Sequence, residues 1–345
     1  DAGADLELAA QLAVHQRVGG LLVRGLTEAG VDLMAPWADD LRIDAARCRA
    51  HAVMVLARAG ALALQPLADA GLEVLTFKGA ALAERYPAPG LRPMDDVDLV
   101  LPPAQHGEAM RVLAEAGWRV ARPAGGAHYD ELLVHPELPG LPLELHRALS
   151  IWQEQASGLG LEELWGMRIP QTILGAQGYG LPPEEELVAV AGHAGKPFHV
   201  FGRLLWSVDV VVIVQSAATT TPVDWERVGR LADRLGSRTA VAVMLSQASR
   251  LGADVPDELC SPPARGSRRA ALAPLFDPEW PVLPRDKLRR RFQFVVADAW
   301  WRRAVMLVGA VAGEGVGAIP RRALELGRAF GRNWVRFRFG RPGPR

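Results

Sequence analysis

Phe77-Lys-Gly-Ala-Ala-Leu-Ala-Glu-Arg-Tyr-Pro-Ala-Pro-Gly-Leu-Arg-Pro-Met-Asp-Asp-Val-Asp-Leu-Val-Leu101 is the stretch whose reading decides the fold. It ends the run Leu72-Glu-Val-Leu-Thr-Phe77, which is short, apolar and flanked by glycines, as a buried strand is. Lys78-Gly79 then turns the chain into a short helical run through Ala80, Leu82 and Ala83. Tyr86 to Pro93 holds three prolines and a glycine and reads as a loop. Val97 to Leu101 is a second strand, closed by Pro102-Pro103. Alternate residues of an extended chain leave the same face. Asp96 and Asp98 therefore present two carboxylates on one side while the strand runs on into the core.

Outward from this centre the pattern is helix, sheet, helix. Apolar residues recur three and four apart from Leu6 to about Glu28, and again from about Asp44 to Ala70, with Gly71 at the position of a C-cap. After the second strand, Gln105 to Ala116 is a helix and Trp118 to Ala121 a third strand. His128–His135 and Leu141–Leu145 form a hairpin around Pro136, Pro139 and Gly140. Beyond Ile151 no strand is predicted. Helices are expected over Glu184–Gly195, where acidic residues suit the first turn, and over Phe201–Gln215, Trp225–Leu235 and Thr239–Leu251. The expected fold class is α+β: a small mixed β-sheet core over 71–150, preceded by an N-terminal helical segment over 1–70. A helical domain follows over 151–284, and a basic, apolar-rich helical segment over 285–345.

The chemistry follows from the carboxylates. Transfer of a phosphorus-containing group requires neutralising a polyphosphate and aligning nucleophile with leaving group, which two divalent ions do in many enzymes. Magnesium takes oxygen ligands in tight geometry, so rigid strands bearing carboxylates suit it. In Leu143-Glu-Leu-His146 the leucines share one face, and Glu144 and His146 the other, so Glu144 can supply a third carboxylate if the strands are neighbours. Lys78 and Gly79, at a strand-to-helix turn, fit a phosphate cradle. Asp95 faces away from Asp96 and reads as a loop or capping residue.

The Phe77–Leu101 run resembles the signature of a large bacterial nucleotidyltransferase family of the DNA polymerase β superfamily. Its pattern is Lys-Gly, a loop with Tyr and Pro, Arg-Pro-Met, then Asp-x-Asp in an apolar strand. Leu143–His146 is similar to its third motif. The stretch His193 to Asp209, with Lys196, Arg203, Trp206 and Asp209, is similar to its C-terminal helical region. The resemblance spans about residues 10 to 215. It implies Asp96, Asp98 and Glu144 as catalytic, metal-binding carboxylates, with Lys78, Gly79 and Arg92 near the nucleotide phosphates. His146, Lys196 and Arg203 join that nucleotide-binding set, and His193 is a further candidate. Mg2+, or Mn2+ in its place, would be the cofactor and an NTP the substrate. The acceptor is an unknown small molecule, peptide or saccharide. One departure is Ala80, which follows Gly79 where the superfamily has Gly or Ser, so no hydroxyl is available there.

Charge narrows the alternatives. Residues 285–345 carry 15 Arg plus Lys against 4 Asp plus Glu, a net +11, and the remainder carries 24 against 35, a net −11. An acidic body argues against nucleic acid as a partner. The basic tail suggests an anionic partner, peripheral membrane contact, or docking on the body through Phe292, Phe294, Trp300 and Trp301. No window reaches the ~20 apolar residues of a membrane span; the longest candidate is Ala304–Ala312. The first residues show neither a basic n-region nor an apolar core. Two distant cysteines, Cys48 and Cys260, fit a reducing cytoplasm. Two rival readings stand beside NMP transfer: a phosphotransferase using the same site, and a nucleotide-binding partner protein without catalysis.

Overall fold

A computed structural model describes residues 5–124, 130–146, 161–196, 199, 201–261 and 272–276. The tail over 285–345, and every expectation placed on it, lies outside the described residues.

Seven strands form one sheet: β1 (Leu75–Thr76), β2 (Val97–Val100), β3 (Arg119–Arg122), β4 (Asp130–Val134), β5 (Leu143–His146), β6 (Ile169–Ile173) and β7 (Ala176–Gly180). Their order is β3-β4-β5-β2-β1-β7-β6, and the sheet is mixed. β2 runs parallel to β5, and β1 parallel to β7; the remaining pairs are antiparallel. Two layers cover it. On one face Val97, Leu99, Leu143 and Leu145 pack with Leu56, Leu64, Leu67 and Leu113. On the other, Leu75, Phe77 and Val100 pack with Leu187, Val210, Met244 and their neighbours. The α+β class and the helix–sheet–helix order stand as the sequence predicts.

The hairpin β6–β7 corrects the expectation of no strand beyond Ile151. Its residues look like breakers: Pro170, Gly175, Gly178 and Gly180. β6 lies at the sheet edge, where a missing amide costs no ladder bond. At Gly178 a Cβ would sit 3.2 Å from the Val74 carbonyl oxygen, so the glycine permits close packing against the approach to β1. The strand character of this hairpin comes from pairing with β1, not from local propensity.

The N-terminal helical run is two helices, α1 (Leu6–His15) and α2 (Gly19–Glu28). The break falls at Arg17, whose φ of 65° places a non-glycine residue in the left-handed region. The next helix, α3, starts at Asp39–Ala50 and passes through two π-helical stretches, His51–Leu56 and Gly60–Leu64, to end at Gln65–Asp69. Gly71 (φ 72°) caps it as expected: its amide donates to the Ala68 carbonyl, and that of Leu72 to the Leu67 carbonyl. Together with the 3-10 turn Pro36–Ala38 before it, this helical run, Pro36–Asp69, is long and apolar enough to cross a membrane by length and composition only. Its buried side, with Leu56, Ala63, Leu64 and Leu67, packs on the sheet, as a core helix of a globular domain also would. Then come α4 (Gly79–Ala83), α5 (His106–Glu115) and α6 (Leu161–Gly166). The C-terminal layer is α7 (Pro183–Ala194), α8 (Leu204–Ala218), α9 (Trp225–Arg234) and α10 (Arg238–Arg250). α9 is capped by Asp224, whose carboxylate accepts from the Arg227 amide at 2.9 Å.

Candidate active site

The parallel pairing of β2 with β5 answers what spacing leaves open. Asp98 lies opposite Glu144, with Val97 opposite Leu143 and Val100 opposite His146. Both strands turn their leucines to one layer, so Asp98, Glu144 and His146 share the face toward the C-terminal helices. Ligand atoms of these three lie within 4.8 Å of one another, the grouping of metal-binding type found among the described residues. Asp96 is not in that group. It precedes the first paired residue of β2, so the ladder does not hold it.

Asp98 is almost fully buried, and its charge is answered twice. Lys78 Nζ donates to Oδ1 at 3.0 Å, and His146 Nε2 lies 2.6 Å from the same oxygen. Burial alone would raise its pKa, but the Lys78 ammonium and the His146 hydrogen bond hold it well below the usual carboxylate range. His146 Nε2 also stands 3.4 Å from Glu144 Oε2. Burial works against the imidazolium, yet the hydrogen bonds to Asp98 and Glu144 raise its pKa on balance. At Glu144 burial pulls upward, and the His146 contact brings the carboxyl below its ordinary value. Asp96, by contrast, is pushed up to about 6 by burial and then by the negative charge of Asp98. The carboxylates of Asp96 and Asp98 thus repel one another, and Lys78 answers both.

Lys78 sits at the β1–α4 turn with φ 57°. A left-handed lysine costs backbone energy and is retained where the surroundings demand it. Gly79 follows for lack of room: a Cβ there would meet Met94 Sδ at 2.9 Å and Arg92 Nη1 at 3.2 Å. Arg92 is buried in a two-bond ion pair, Nε and Nη2 each 2.8 Å from an Asp209 oxygen, and Tyr86 Oη donates to Asp209 Oδ1 at 2.7 Å. The structure therefore places Arg92 beneath the Lys78–Gly79 turn with its guanidinium engaged by α8.

Lys196 follows α7. Burial lowers its pKa, opposed by the charges of Asp98, Glu144, Asp130 and Asp96, so it faces the carboxylate group. The rings of His193, His199 and Trp206 cluster in tilted and edge-on contacts, with centroids 4.4 to 5.5 Å apart. Burial keeps both imidazoles neutral, His199 falling to about 4. Arg203 is half-exposed and lies 3.7 Å from Asp95. Arg17, which the sequence does not single out, donates to the other Asp95 oxygen at 2.7 Å. The signal for it is tertiary: α1 and α2 lie against the start of α8, where Gln16 Oε1 accepts from the Leu204 amide at 2.8 Å. Asp209 is in the His193–Asp209 stretch, but its partner is legible only in three dimensions.

Carboxylates converging on adjacent strands, beside a lysine at a strand-to-helix turn, suit a divalent cation and a polyphosphate. The class of protein agrees. Residues 2–252 match the model of a family described as "Uncharacterised nucleotidyltransferase", and the chain belongs to that family. Among curated proteins none matches. Solved structures with some likeness include the antibiotic-resistance factor ANT(2'')-Ia in solution, 18% identical with a TM-score of 0.39, over 53% of this chain and 92% of that one. Another is an antigenic nucleotidyltransferase-like protein from Paracoccidioides brasiliensis, 15% identical with a TM-score of 0.37, over 58% and 94%. ANT(2'')-Ia in complex with adenylyl-2''-tobramycin is 17% identical with a TM-score of 0.31, over 57% and 98%. The likeness to each is loose.

Proposed function

We propose that the chain transfers a nucleoside monophosphate from an NTP to a hydroxyl or similar group of a small-molecule, peptide or saccharide acceptor. The observation that carries this reading is the register of Asp98 against Glu144 on adjacent parallel strands, with Lys78 reaching the same carboxylate from the turn. An acceptor oxygen attacks the α-phosphorus, the bond from that phosphorus to the bridging oxygen breaks, and pyrophosphate leaves.

The donor set fits a divalent ion. Asp98 and Glu144 offer oxygen, and Asp96, whose carboxyl burial and then the charge of Asp98 push up to about 6, adds a third carboxylate. Asp96, Asp98 and Glu144 would hold Mg2+ or Mn2+, which when bound supplies charge neutralisation for the triphosphate. His146 keeps Asp98 oriented by its hydrogen bond, as imidazole–carboxylate pairs do around metals. Lys78 and the backbone at Gly79 take phosphate oxygens, and Lys78 exchanges Asp98 for phosphate when nucleotide arrives. Lys196 and Arg203 approach from the helical layer. Arg92 acts through the turn it supports. Glu144, ionised at neutral pH, stands ready to accept the acceptor's proton. The chain's contribution beyond this is positioning and electrostatics.

The test is incubation of the full chain with each labelled NTP and magnesium, followed by mass spectrometry of the protein and candidate acceptors. A product heavier by one nucleoside monophosphate supports the reading. Gain of a single phosphate assigns the site to phosphotransfer, and nucleotide binding without any product to a non-catalytic module.

A further inference from the structure

Asp95 lies between two arginines far apart in the chain, Arg17 and Arg203. Arg17 Nη2 is 2.7 Å from Oδ1, and Arg203 Nη1 is 3.7 Å from Oδ2. The arginines are tied together independently of Asp95: the Gln16 side chain accepts from the Leu204 amide at 2.8 Å, and its carbonyl from the Leu205 amide at 3.3 Å. At this fixed junction Arg17 hydrogen-bonds one oxygen of a small anion, and Arg203 stands within ion-pair distance of the other. That anion is the residue next to Asp96.

A purely structural role explains this poorly. The pair is open to water, with side-chain exposures of 30% for Arg17, 57% for Asp95 and 47% for Arg203. Such pairs stabilise little, less than a left-handed non-glycine backbone costs. Yet Arg17 has φ 65°, and Phe201, two residues before Arg203, has φ 54°. With Lys78 at φ 57°, these are three of the four left-handed non-glycine residues among those described: Lys78 bonds Asp98, Arg17 bonds Asp95, and Phe201 leads into Arg203. Arginine is also the side chain whose planar fork suits phosphate oxygens.

We propose that Arg17 and Arg203 form a polyphosphate clamp for the β- and γ-phosphates of the NTP, the part that leaves as pyrophosphate, and that Asp95 occupies this clamp in the nucleotide-free enzyme. The proposal rests on the nucleotidyltransferase reading above. Nucleotide binding exchanges the Asp95 carboxylate for phosphate oxygens and frees Asp95 to move. The N-terminal helices thereby contribute directly to substrate binding.

The experiment is calorimetric titration of the full chain, in magnesium, with ATP, inorganic pyrophosphate and AMP, thermal unfolding being followed for every variant. Arg17→Ala is expected to weaken ATP and pyrophosphate binding about tenfold or more and to leave AMP binding within twofold. Asp95→Asn is expected to tighten pyrophosphate binding several-fold, because the clamp loses its internal competitor. That gain is expected to vanish in Arg17→Ala/Arg203→Ala/Asp95→Asn. Pyrophosphate affinity unchanged in Arg17→Ala, or tightening that persists without both arginines, overturns the clamp. If Arg17→Ala unfolds, the Asp95→Asn gain decides alone, and no gain overturns it. A wild-type chain that binds none of the NTPs removes the functional reading itself. One that binds ATP with Arg17 irrelevant removes only the clamp.

Discussion

Arg92 and Asp209, 117 residues apart, meet in a buried two-bond ion pair that joins the proline-rich loop to α8. Asp209 has no exposed surface, and Tyr86 adds a third hydrogen bond to it. Arg92 Nη1 lies against Gly79, so the pair also supports the lysine turn from below. Removing one partner of such a pair strands a buried charge. Asp209→Asn is expected to cost roughly 3–5 kcal/mol in urea unfolding. Replacing both partners with apolar residues, Arg92→Met with Asp209→Leu, should recover most of that loss. A single-mutant cost below about 1 kcal/mol would show that the link is not structural.

Asp98→Asn tests the carboxylate group. Removing the charge loses the Lys78 ion pair but also relieves repulsion from Asp96, so the fold is expected to persist with a smaller stability loss than Asp209→Asn. Turnover, measured as product formed per enzyme, should fall at least roughly 100-fold, the scale of losing one electrostatic element of a site. Metal affinity, titrated separately, should fall with it. Activity retained within tenfold would move the catalytic centre elsewhere.

Glu186 supplies a pH signature. It is fully buried in α7 with Arg85 Nη2 at 2.6 Å. Burial outweighs that partner and raises its pKa from 4.5 to about 7. The native state therefore binds this proton more tightly than the unfolded chain, and stability from this group is lost as pH rises from 4.5 to 7. Glu186→Gln cannot ionise and lacks that fall. Denaturant unfolding of both proteins at several pH values should show wild type losing stability relative to the variant across the window, by roughly 3 kcal/mol at most. A difference independent of pH would refute the assignment.

Gly60 tests the hairpin that local patterns hide. A Cβ on it would stand 2.1 Å from the Leu174 carbonyl oxygen, in the β6–β7 turn. Gly60→Ala is favourable for an isolated helix, since alanine is the better helix former. In this packing it forces backbone apart, and a loss of about 1–3 kcal/mol is expected by chemical denaturation. Stabilisation instead would mean that the π-helical stretch does not press on the hairpin.

Several elements are legible in the chain itself because their signals are local. Apolar periodicity marks the helices, and their ends fall within a few residues of the observed ones, as at Trp225–Arg234. Gly71 and Asp224 carry the chemistry of a helix stop and a helix start within a few residues. The break at Arg17 is hidden in the apolar periodicity, although Gly19-Gly20 marks it locally, and at the break Gln16 meets Leu204 and Leu205. Pro170 and the glycines of β6–β7 mislead for the same reason, as edge placement and close packing reverse their usual meaning.

The sequence by itself determined the strand that bears Asp98, with Asp96 just before it, because alternation along an extended chain is written in neighbouring residues, and the nucleotidyltransferase class through the resemblance of the whole Phe77–Leu101 run. Tertiary structure alone decided the rest. It set Asp98 against Glu144 through the register of two parallel strands, and brought His146 into that group. It turned Arg92 onto Asp209 and placed Arg17 and Arg203 on either side of Asp95. Each of these is a contact between residues from tens to more than a hundred positions apart. Such contacts form where whole layers pack, and neither partner's neighbourhood in the chain records which distant charge it will meet.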